Sequence, residues 1–424
     1  MEICIVGTGY VGLSASVGFA SKGNSVTCVD IDKEKVEKIN QGEPPIYEKG
    51  MEKLLNEALD QELLKATTDL ETAVEKATII FITVGTPMKE DGSIDLSKVK
   101  QAAEDVGKAL KEKDDYTVVT VKSTVVPRTT RDEIIPILEK KSGKDAGKDF
   151  GVCMNPEFLR EGKALSDFLD PDRIVIGELD EKSGKLLENL CKDFDSPILR
   201  MGLSSAEMVK YASNSFLANK ISFINEIGNI CKKLEIDVYE VAEAMGHDER
   251  ISPRFLRAGA GYGGSCFPKD VRALIAKSKD ISYEPELLES GVSLNEDQPL
   301  KMLELLKEHL GGLEGKTVGV LGLAFKPGTD DIRESPALDV VNVLLEENVE
   351  VKAYDPKAMD NFRERFPDVE YCDSAEEVLD SDAALILTDW GEFGDLDYSG
   401  KVIIDGRRLE KAEEEADVYE GICW

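Results

Sequence analysis

Histidine is nearly absent: His247 and His309 are the only two in 424 residues. A histidine-based metal site therefore has too few ligands, and no metal is expected. Closely spaced cysteine pairs are absent as well. Cys4, Cys28, Cys153, Cys191, Cys231, Cys266, Cys372 and Cys423 are scattered, several of them inside apolar runs. That pattern excludes a disulfide framework and points to a reduced compartment. No apolar run reaches the ~20 residues of a membrane span. No basic leader with a cleavage site is visible, because Glu2 precedes the first apolar run and Gly7, Gly9 and Gly12 break it. A cytoplasmic chain without a membrane partner is the expectation. Positive charge is in deficit too: 52 Lys and Arg face 84 Asp and Glu, a formal net charge of -32. Such a field repels DNA and RNA and excludes nucleic acid as a partner. Surplus surface carboxylates also keep a protein hydrated in concentrated salt, although the retained lysines argue against the most extreme adaptation. An anionic substrate must then be caught by a local basic cluster against the global field.

What is present is enough for two or three globular domains, with 42% hydrophobic residues and no low-complexity tract. Glu2 to Val6 is a β-branched apolar run, followed by a glycine turn, a small-residue helical segment Leu13 to Ser21, and a second strand-like run, Ser25 to Val29, ending at Asp30. This is a βαβ unit. Further strand-like runs at Thr78 to Val84, Thr117 to Val121 and Phe150 to Met154 predict a mostly parallel, doubly wound sheet. From Ser204 to about Glu235 apolar residues recur at helical spacing, and helical segments continue to about Leu310. Strand then glycine returns at Thr317 to Leu323, and strand then acid at Val349 to Asp355. Ala383 to Leu387 and Lys401 to Ile404 supply more strands. The expected fold class is α/β: two Rossmann-like doubly wound domains joined by a central long-helix all-α section. The expected boundaries are 1–197, 198–311 and 312–424.

Gly7-x-Gly9-x-x-Gly12 gains meaning from its context between strand and helix, with Asp30 closing the next strand. Gly7 permits the turn, Gly9 lets a pyrophosphate approach the helix N-terminus, and Gly12 lets helix and strand pack closely. Asp30 suits a ribose 2′-OH and repels a 2′-phosphate, so NAD is expected over NADP. Gly261 to Asp270 reads GYGGSCFPKD. A lone cysteine is more often an inert core residue, but Cys266 sits in a glycine-rich loop with Lys269 and Asp270 following it. An adjacent ammonium raises the thiolate fraction, and a carboxylate can position water. Glu157 and Glu161 lie after a strand end, four residues apart. They suit either acid–base work on one helical face or a solvated helix start. Lys210 and Asn214 share the same spacing on the long helix and suit either an oxyanion contact or a plain polar stripe. Arginines after the second sheet's strands, Arg333, Arg407 and Arg408, suit phosphate capture or surface ion pairs.

Together these residues, with Val84-Gly85-Thr86-Pro87, Lys122-Ser123-Thr124, Asn155 to Gly162 and Phe325-Lys326 through Ser335, closely resemble the UDP-glucose/GDP-mannose dehydrogenase family. The likeness runs from Gly7 to Arg408, and its UDP-glucose-oxidising members are the nearest match. The resemblance implies an N-terminal NAD domain, a central helix that forms a homodimer, and a C-terminal domain for a UDP-sugar. It implies four-electron oxidation of UDP-glucose to UDP-glucuronate with two NAD per turnover, through a Cys266 thiohemiacetal and thioester. The same chemistry on GDP-mannose or a UDP-N-acetylhexosamine is the alternative. It assigns Lys210, Asn214, Asp270, Glu157 and Thr124 to catalysis beside Cys266. It places Tyr10, Val11, Lys35, Val84, Gly85, Thr86, Ser123, Thr124, Glu161, Lys269 and Arg333 at the cofactor. It places Glu157, Phe158, Leu159, Glu161, Lys210, Asn214, Arg250, Phe255, Arg257, Gly263, Phe325, Lys326 and Arg408 at the substrate. One departure stands out: Arg128 occupies a position where the family usually has glycine. A non-catalytic nucleotide-sugar sensor, or a simple hydroxyacid-type dehydrogenase, would not need the Cys266, Lys269 and Asp270 set.

Overall fold

The first apolar run forms β1 (Glu2–Val6), buried from Ile3 onward, and seven more strands join it. These are β2 (Ser25–Val29), β3 (Leu64–Thr67), β4 (Ile79–Ile82), β5 (Val118–Val121), β6 (Gly151–Met154), β7 (Ile174–Glu178) and β8 (Ile198–Gly202). Their order is β3-β2-β1-β4-β5-β6-β7-β8. β4, β5 and β6 are buried at every residue, as strands covered by helices on both faces must be. All pairings are parallel except β6 with β7. The register sets Val6 beside Val29 and Ile82, and Ile82 beside Val121, so these strands end level. The Gly7 turn follows β1, Asp30 follows β2, Val84 to Pro87 follows β4 and Lys122 to Thr124 follows β5.

This computed structural model describes residues 1–424 and divides into two compact units, Met1–Ala212 and Ser213–Trp424. The division falls inside the helix Leu203–Lys233, which is 31 residues long. Helices Val238–Gly246, Phe267–Asp280, Glu286–Asp297 and Lys301–Leu310 follow with no strand among them. The second unit then builds β9 (Thr317–Leu321), β10 (Glu350–Tyr354), β11 (Glu370–Tyr371), β12 (Ala383–Ile386), β13 (Val402–Asp405) and β14 (Val418–Gly421). Their order, β11-β10-β9-β12-β13-β14, repeats the first six strands of the other sheet, and every pairing is parallel. The α/β class with two mostly parallel sheets and a helical section between them is therefore as expected. No helix is long and apolar enough to cross a membrane. All eight cysteines are free, and Cys266 alone is not fully buried.

Candidate active site

The ends of β1, β2 and β4 open onto a cleft of about 880 Å³ lined by Gly7, Gly9, Asp30, Lys35, Val84 and Gly85, among others. Gly9 caps the helix Tyr10–Ser21, and a Cβ there would meet nothing within 4 Å, so the approach to the helix N-terminus is clear. At Gly12 a Cβ would collide with the Gly7 carbonyl oxygen, so helix and turn pack this closely only around glycine. Asp30 Oδ2 accepts from Thr8 N (2.9 Å) and Thr8 Oγ1 (2.6 Å), and Oδ1 accepts from Asp32 N (3.1 Å). Burial pushes its carboxyl up, but the bonds from Thr8 and Asp32 and the charge of Lys35 outweigh it and hold it below its ordinary value. Asp30 is thus a carboxylate at the cleft. Ser123 Oγ donates to the Val84 carbonyl (2.6 Å) and Thr86 Oγ1 to the Thr124 carbonyl (2.8 Å). These bonds tie the loops after β4 and β5 together. An open helix N-terminus, a glycine turn and a carboxylate on the next strand suit an NAD dinucleotide. Tyr10 and Val11 open the helix behind that turn.

The loop after β6 corrects one expectation. Asn155 to Arg160 is not helical, so Glu157 and Glu161 do not share a helical face. Pro156 disfavours helical backbone at Asn155, and each glutamate has separate surroundings. Glu157 and Lys210 are 8% and 4% exposed, with Lys210 Nζ 2.9 Å from Glu157 Oε1. Glu157 Oε2 accepts from the Leu159 amide at 2.5 Å. Burial pushes the Glu157 carboxyl up, but Lys210, the Leu159 amide and Lys122 outweigh it and hold it low. Phe158 lies under Arg173, 4.1 Å from its ring centroid, and 5.7 Å from Lys210 Nζ. Glu161 is half-buried on the same loop. Two residues that sequence reasoning left without a role emerge here. Lys122 is buried, donates to Asn155 Oδ1 (2.8 Å), and is pulled down to about 8, chiefly by burial. Buried Glu48 accepts from the amides of Gly162 (2.8 Å) and Ala164 (3.2 Å), pinning the far end of the loop. No local pattern marks Glu48, since its partners lie more than 110 residues away in the chain.

Arg128 explains itself through its backbone. Its φ is +79°, the region that glycine enters most easily. Its amide donates to Glu207 Oε2 (2.6 Å), and the Thr130 amide donates to Glu207 Oε1 (2.7 Å). Glu207 is fully buried, and burial pushes its carboxyl up to about 7 despite these bonds.

In the second unit Cys266 caps the helix Phe267–Asp280, with Pro268 in the first turn. Its Sγ lies 3.6 Å from Ser265 Oγ. Asp270, 1% exposed, accepts from Lys269 Nζ (2.6 Å) and from Asn214 Nδ2 (2.6 Å). The glycines ahead of Cys266 answer to packing. A Cβ on Gly263 would collide with the Glu334 carbonyl, and one on Gly264 would sit 2.6 Å from the Phe325 ring. The Gly264 amide donates to the Arg333 carbonyl (2.8 Å). The Cys266 loop is thus held by the loop after β9, which carries Phe325 and Lys326.

The expected cations are all engaged. Arg408 forms a two-pronged pair with Asp237 (2.7 Å each) and lies over Tyr239. Arg257 binds Asp389 (2.8 Å) and the Arg407 carbonyl, which brings it to the end of β13 beside Arg407 and Arg408. Arg407 Nε donates to the Leu387 carbonyl (2.6 Å). Arg333 folds back on Asp331 (2.6 Å). Arg250 is highly exposed and pairs with Asp248 (2.5 Å), so it joins none of these clusters. Phe255 has φ +64° and its ring is 6.1 Å from Phe267. The two chemical clusters are therefore Glu157 with Lys210 and Lys122, and Cys266 with Lys269, Asp270 and Asn214. Lys210 and Asn214 are four residues apart on one helix.

Comparison with known proteins agrees with this arrangement. Residues 1–195, 204–297 and 319–412 match the NAD binding, central and UDP binding domains of the UDP-glucose/GDP-mannose dehydrogenase family. The chain is 47% identical to a UDP-glucose 6-dehydrogenase of Haloferax volcanii, with 100% of both chains covered. It is 44% identical to a UDP-glucose dehydrogenase structure from Pyrobaculum islandicum, covering 100% of this chain and 97% of that one, with a TM-score of 0.95. Against a GDP-mannose dehydrogenase from Pseudomonas aeruginosa it is 37% identical with 100% of both covered, and the TM-score is 0.59. With three successive domain models matched in order and near-full-length relatives, the chain belongs to the UDP-glucose/GDP-mannose dehydrogenase family.

Proposed function

We propose that this protein is an NAD-dependent UDP-glucose 6-dehydrogenase that forms UDP-glucuronate. The observation that carries the reading is Cys266: the one cysteine not fully buried, at the head of a helix, with Lys269 and Asp270 in its next turn. Residues 1–197 hold the cofactor, with Asp30 on the ribose and the Gly9 turn at the pyrophosphate. Residues 198–311 form the central section, and 312–424 hold the UDP group. When bound, NAD supplies the electron acceptor for each of the two oxidations, so two are consumed per sugar. Lys210 and Asn214 steady the negative charge that grows on the C6 oxygen as its proton leaves, and loss of a hydride from C6 then gives the aldehyde. The Cys266 thiolate then adds to the C6 aldehyde and makes a thiohemiacetal, which keeps the aldehyde from escaping. Loss of a hydride from C6 and of the hydroxyl proton then leaves a thioester on Sγ. Water, with Glu157 taking its proton and Thr124 aiding its placement, breaks the C–S bond and returns the thiol.

The long helix leaves Phe216, Phe223 and Ile230, each seven residues apart, as exposed large apolar residues. That stripe supports a homodimer through the central helix. A reduced set of free thiols supports a cytoplasmic setting.

The test counts NADH per sugar in separate incubations with UDP-glucose, GDP-mannose and UDP-N-acetylhexosamines. Two NADH per UDP-glucose, with the others idle, is the expected result. Turnover of GDP-mannose alone would overturn the substrate. One NADH per sugar, or full activity of Cys266→Ser, would overturn the thioester route.

A further inference from the structure

The chain from Ala258 to Ser265 runs to Cys266 without belonging to any helix or strand. Its amides and carbonyls need partners from elsewhere, because buried backbone groups left unpaired are costly. Its glycines also permit many backbone paths. Gly261 (φ +96°) and Gly264 (φ +87°) both adopt conformations that other residues avoid. Something outside the loop must select one path.

Side-chain amides from two helices do this. Asn225, on the helix Leu203–Lys233, accepts from the Gly259 amide (2.8 Å). Gln298 follows the helix Glu286–Asp297 and donates to the Gly259 carbonyl (3.2 Å). Gln298 is itself held by Asn229 (2.9 Å). Three residues earlier, Asn295 takes both backbone groups of one loop residue. Tyr262 N donates to Asn295 Oδ1 (2.8 Å), and Asn295 Nδ2 donates to the Tyr262 carbonyl (3.0 Å). A planar amide that pairs with the N–H and C=O of a single residue imitates a β-strand neighbour. Gly261 leaves the room for it, since a Cβ there would lie 2.8 Å from Asn295 Oδ1. Tyr262 is four residues before Cys266, and its ring packs edge-on against Phe267 just after it.

From this geometry we infer that Asn295 is a positioning residue for Cys266: its side-chain amide fixes the backbone at Tyr262 and so aims the thiol. The inference rests on the reading of Cys266 as the nucleophile. Asn295 bonds the backbone of Tyr262 and acts through it. Its removal acts through the loop, and a nucleophile displaced by about 1 Å costs on the order of 100-fold in rate.

The other seven cysteines are buried, so alkylation of the folded protein with iodoacetamide, read by peptide mass, reports Cys266. Asn295→Ala should free the loop. Cys266 is expected to label at least threefold faster, while kcat falls tenfold or more and KM for NAD stays within twofold. Asn295→Asp keeps the acceptor for Tyr262 N and loses the donor, so both effects should be smaller and in the same directions. If Asn295→Ala does not fold by circular dichroism, Asn295→Asp decides alone. A kcat within twofold of the parent in the folded variant overturns the inference. So does a fall in kcat with unchanged labelling, which would mark Asn295 as a general stabiliser. If Cys266→Ser still yields two NADH per sugar, the nucleophile reading fails instead, and that result is separate from the Asn295 labelling rate.

Discussion

Replacing Glu157 by Gln should cost more stability than replacing Lys210 by Met, although the two residues form one ion pair. The pair is buried, at 2.9 Å, and a third charge decides the asymmetry. Lys122 acts on Glu157 through its charge. Glu157→Gln removes the carboxylate that both buried ammonium groups act on. Removing one partner of such a pair costs about 3–5 kcal/mol. Lys210→Met leaves Glu157 with Lys122 and the Leu159 amide, so the loss is nearer one charged hydrogen bond, about 1.5–3 kcal/mol. The gap should depend on pH. Lys122, pulled down to about 8, loses its proton in the folded state well before it would in the unfolded chain. Between pH 8 and 10 the unfolded state binds more protons at this residue, so stability contributed there rises with pH. Neutral Lys122 relieves the excess cation in Glu157→Gln and withdraws the remaining cation from Lys210→Met. The two costs should converge by pH 9. Urea unfolding must be followed by far-ultraviolet circular dichroism, because both tryptophans, Trp390 and Trp424, are in the second unit. Equal costs at pH 7, a larger cost for Lys210→Met, or a gap indifferent to pH would refute the reasoning.

Arg128→Gly should be at least as stable as the parent and up to about 1 kcal/mol more so, because a left-handed residue with a side chain is strained by ~1–2 kcal/mol. Arg128→Val, branched at Cβ, should lose at least about 1 kcal/mol in the same unfolding assay; the reverse order would refute the strain argument. Glu207 has its folded value raised from 4.5 to about 7. Its contribution is therefore complete below the unfolded value and is lost as pH rises through 7, by roughly 3 kcal/mol. The parent's stability measured against Glu207→Gln should fall by about that amount between pH 4.5 and 7.5, and a flat difference would refute it. Asp30→Ala should raise KM for NAD by ten- to a hundredfold, from the loss of about 1.5–3 kcal/mol of charged hydrogen bonding. Its preference for NAD over NADP should shrink, and an unchanged cofactor ratio in initial-rate kinetics would count against Asp30 as the ribose contact.

Where local chemistry and long-range geometry coincide, the chain was readable. β1, β2 and the helix Leu203–Lys233 fall where β-branched runs and helical spacing put them. β3, β7, β8 and β14 did not announce themselves. β8 is nowhere fully buried and carries Arg200 in its middle, so its composition does not separate it from a loop. The reversal of β7 against β6 is a tertiary choice with no local cause. Within the site, glycine turns and the Cys266 loop were legible because a tight turn leaves its mark in residue type. The residues that brace those loops were not. Glu48, Asn225, Asn295 and Gln298 act on backbone groups 33 to 116 residues away, and an amide or carboxylate that serves a distant peptide looks like any other polar residue on a helix or loop.

The two sheets show how far a repeated pattern constrains function. Both run from strand to glycine to helix, and both place an acid at the end of the second strand: Asp30 in one, Asp355 in the other. In both, that acid accepts from the residue after the glycine turn, Thr8 N at 2.9 Å and Leu323 N at 2.8 Å. Asp30 stops there, with one further local bond to Asp32 N and one to the Thr8 hydroxyl, and it lines the open cleft. Asp355 is fully buried and also accepts from Ala324 N, Trp390 Nε1, Lys357 N and Ala358 N. Five donors exceed the roughly four lone-pair positions of a carboxylate, so nothing remains for a ribose hydroxyl. The acid of the second sheet has become a clamp on its own glycine turn, with the Trp390 indole bonded to it. A dinucleotide pattern in sequence thus marks where a turn and an acid meet; whether that acid still faces a ligand depends on what packs above it, and Trp390 lies 35 residues from Asp355 in the chain.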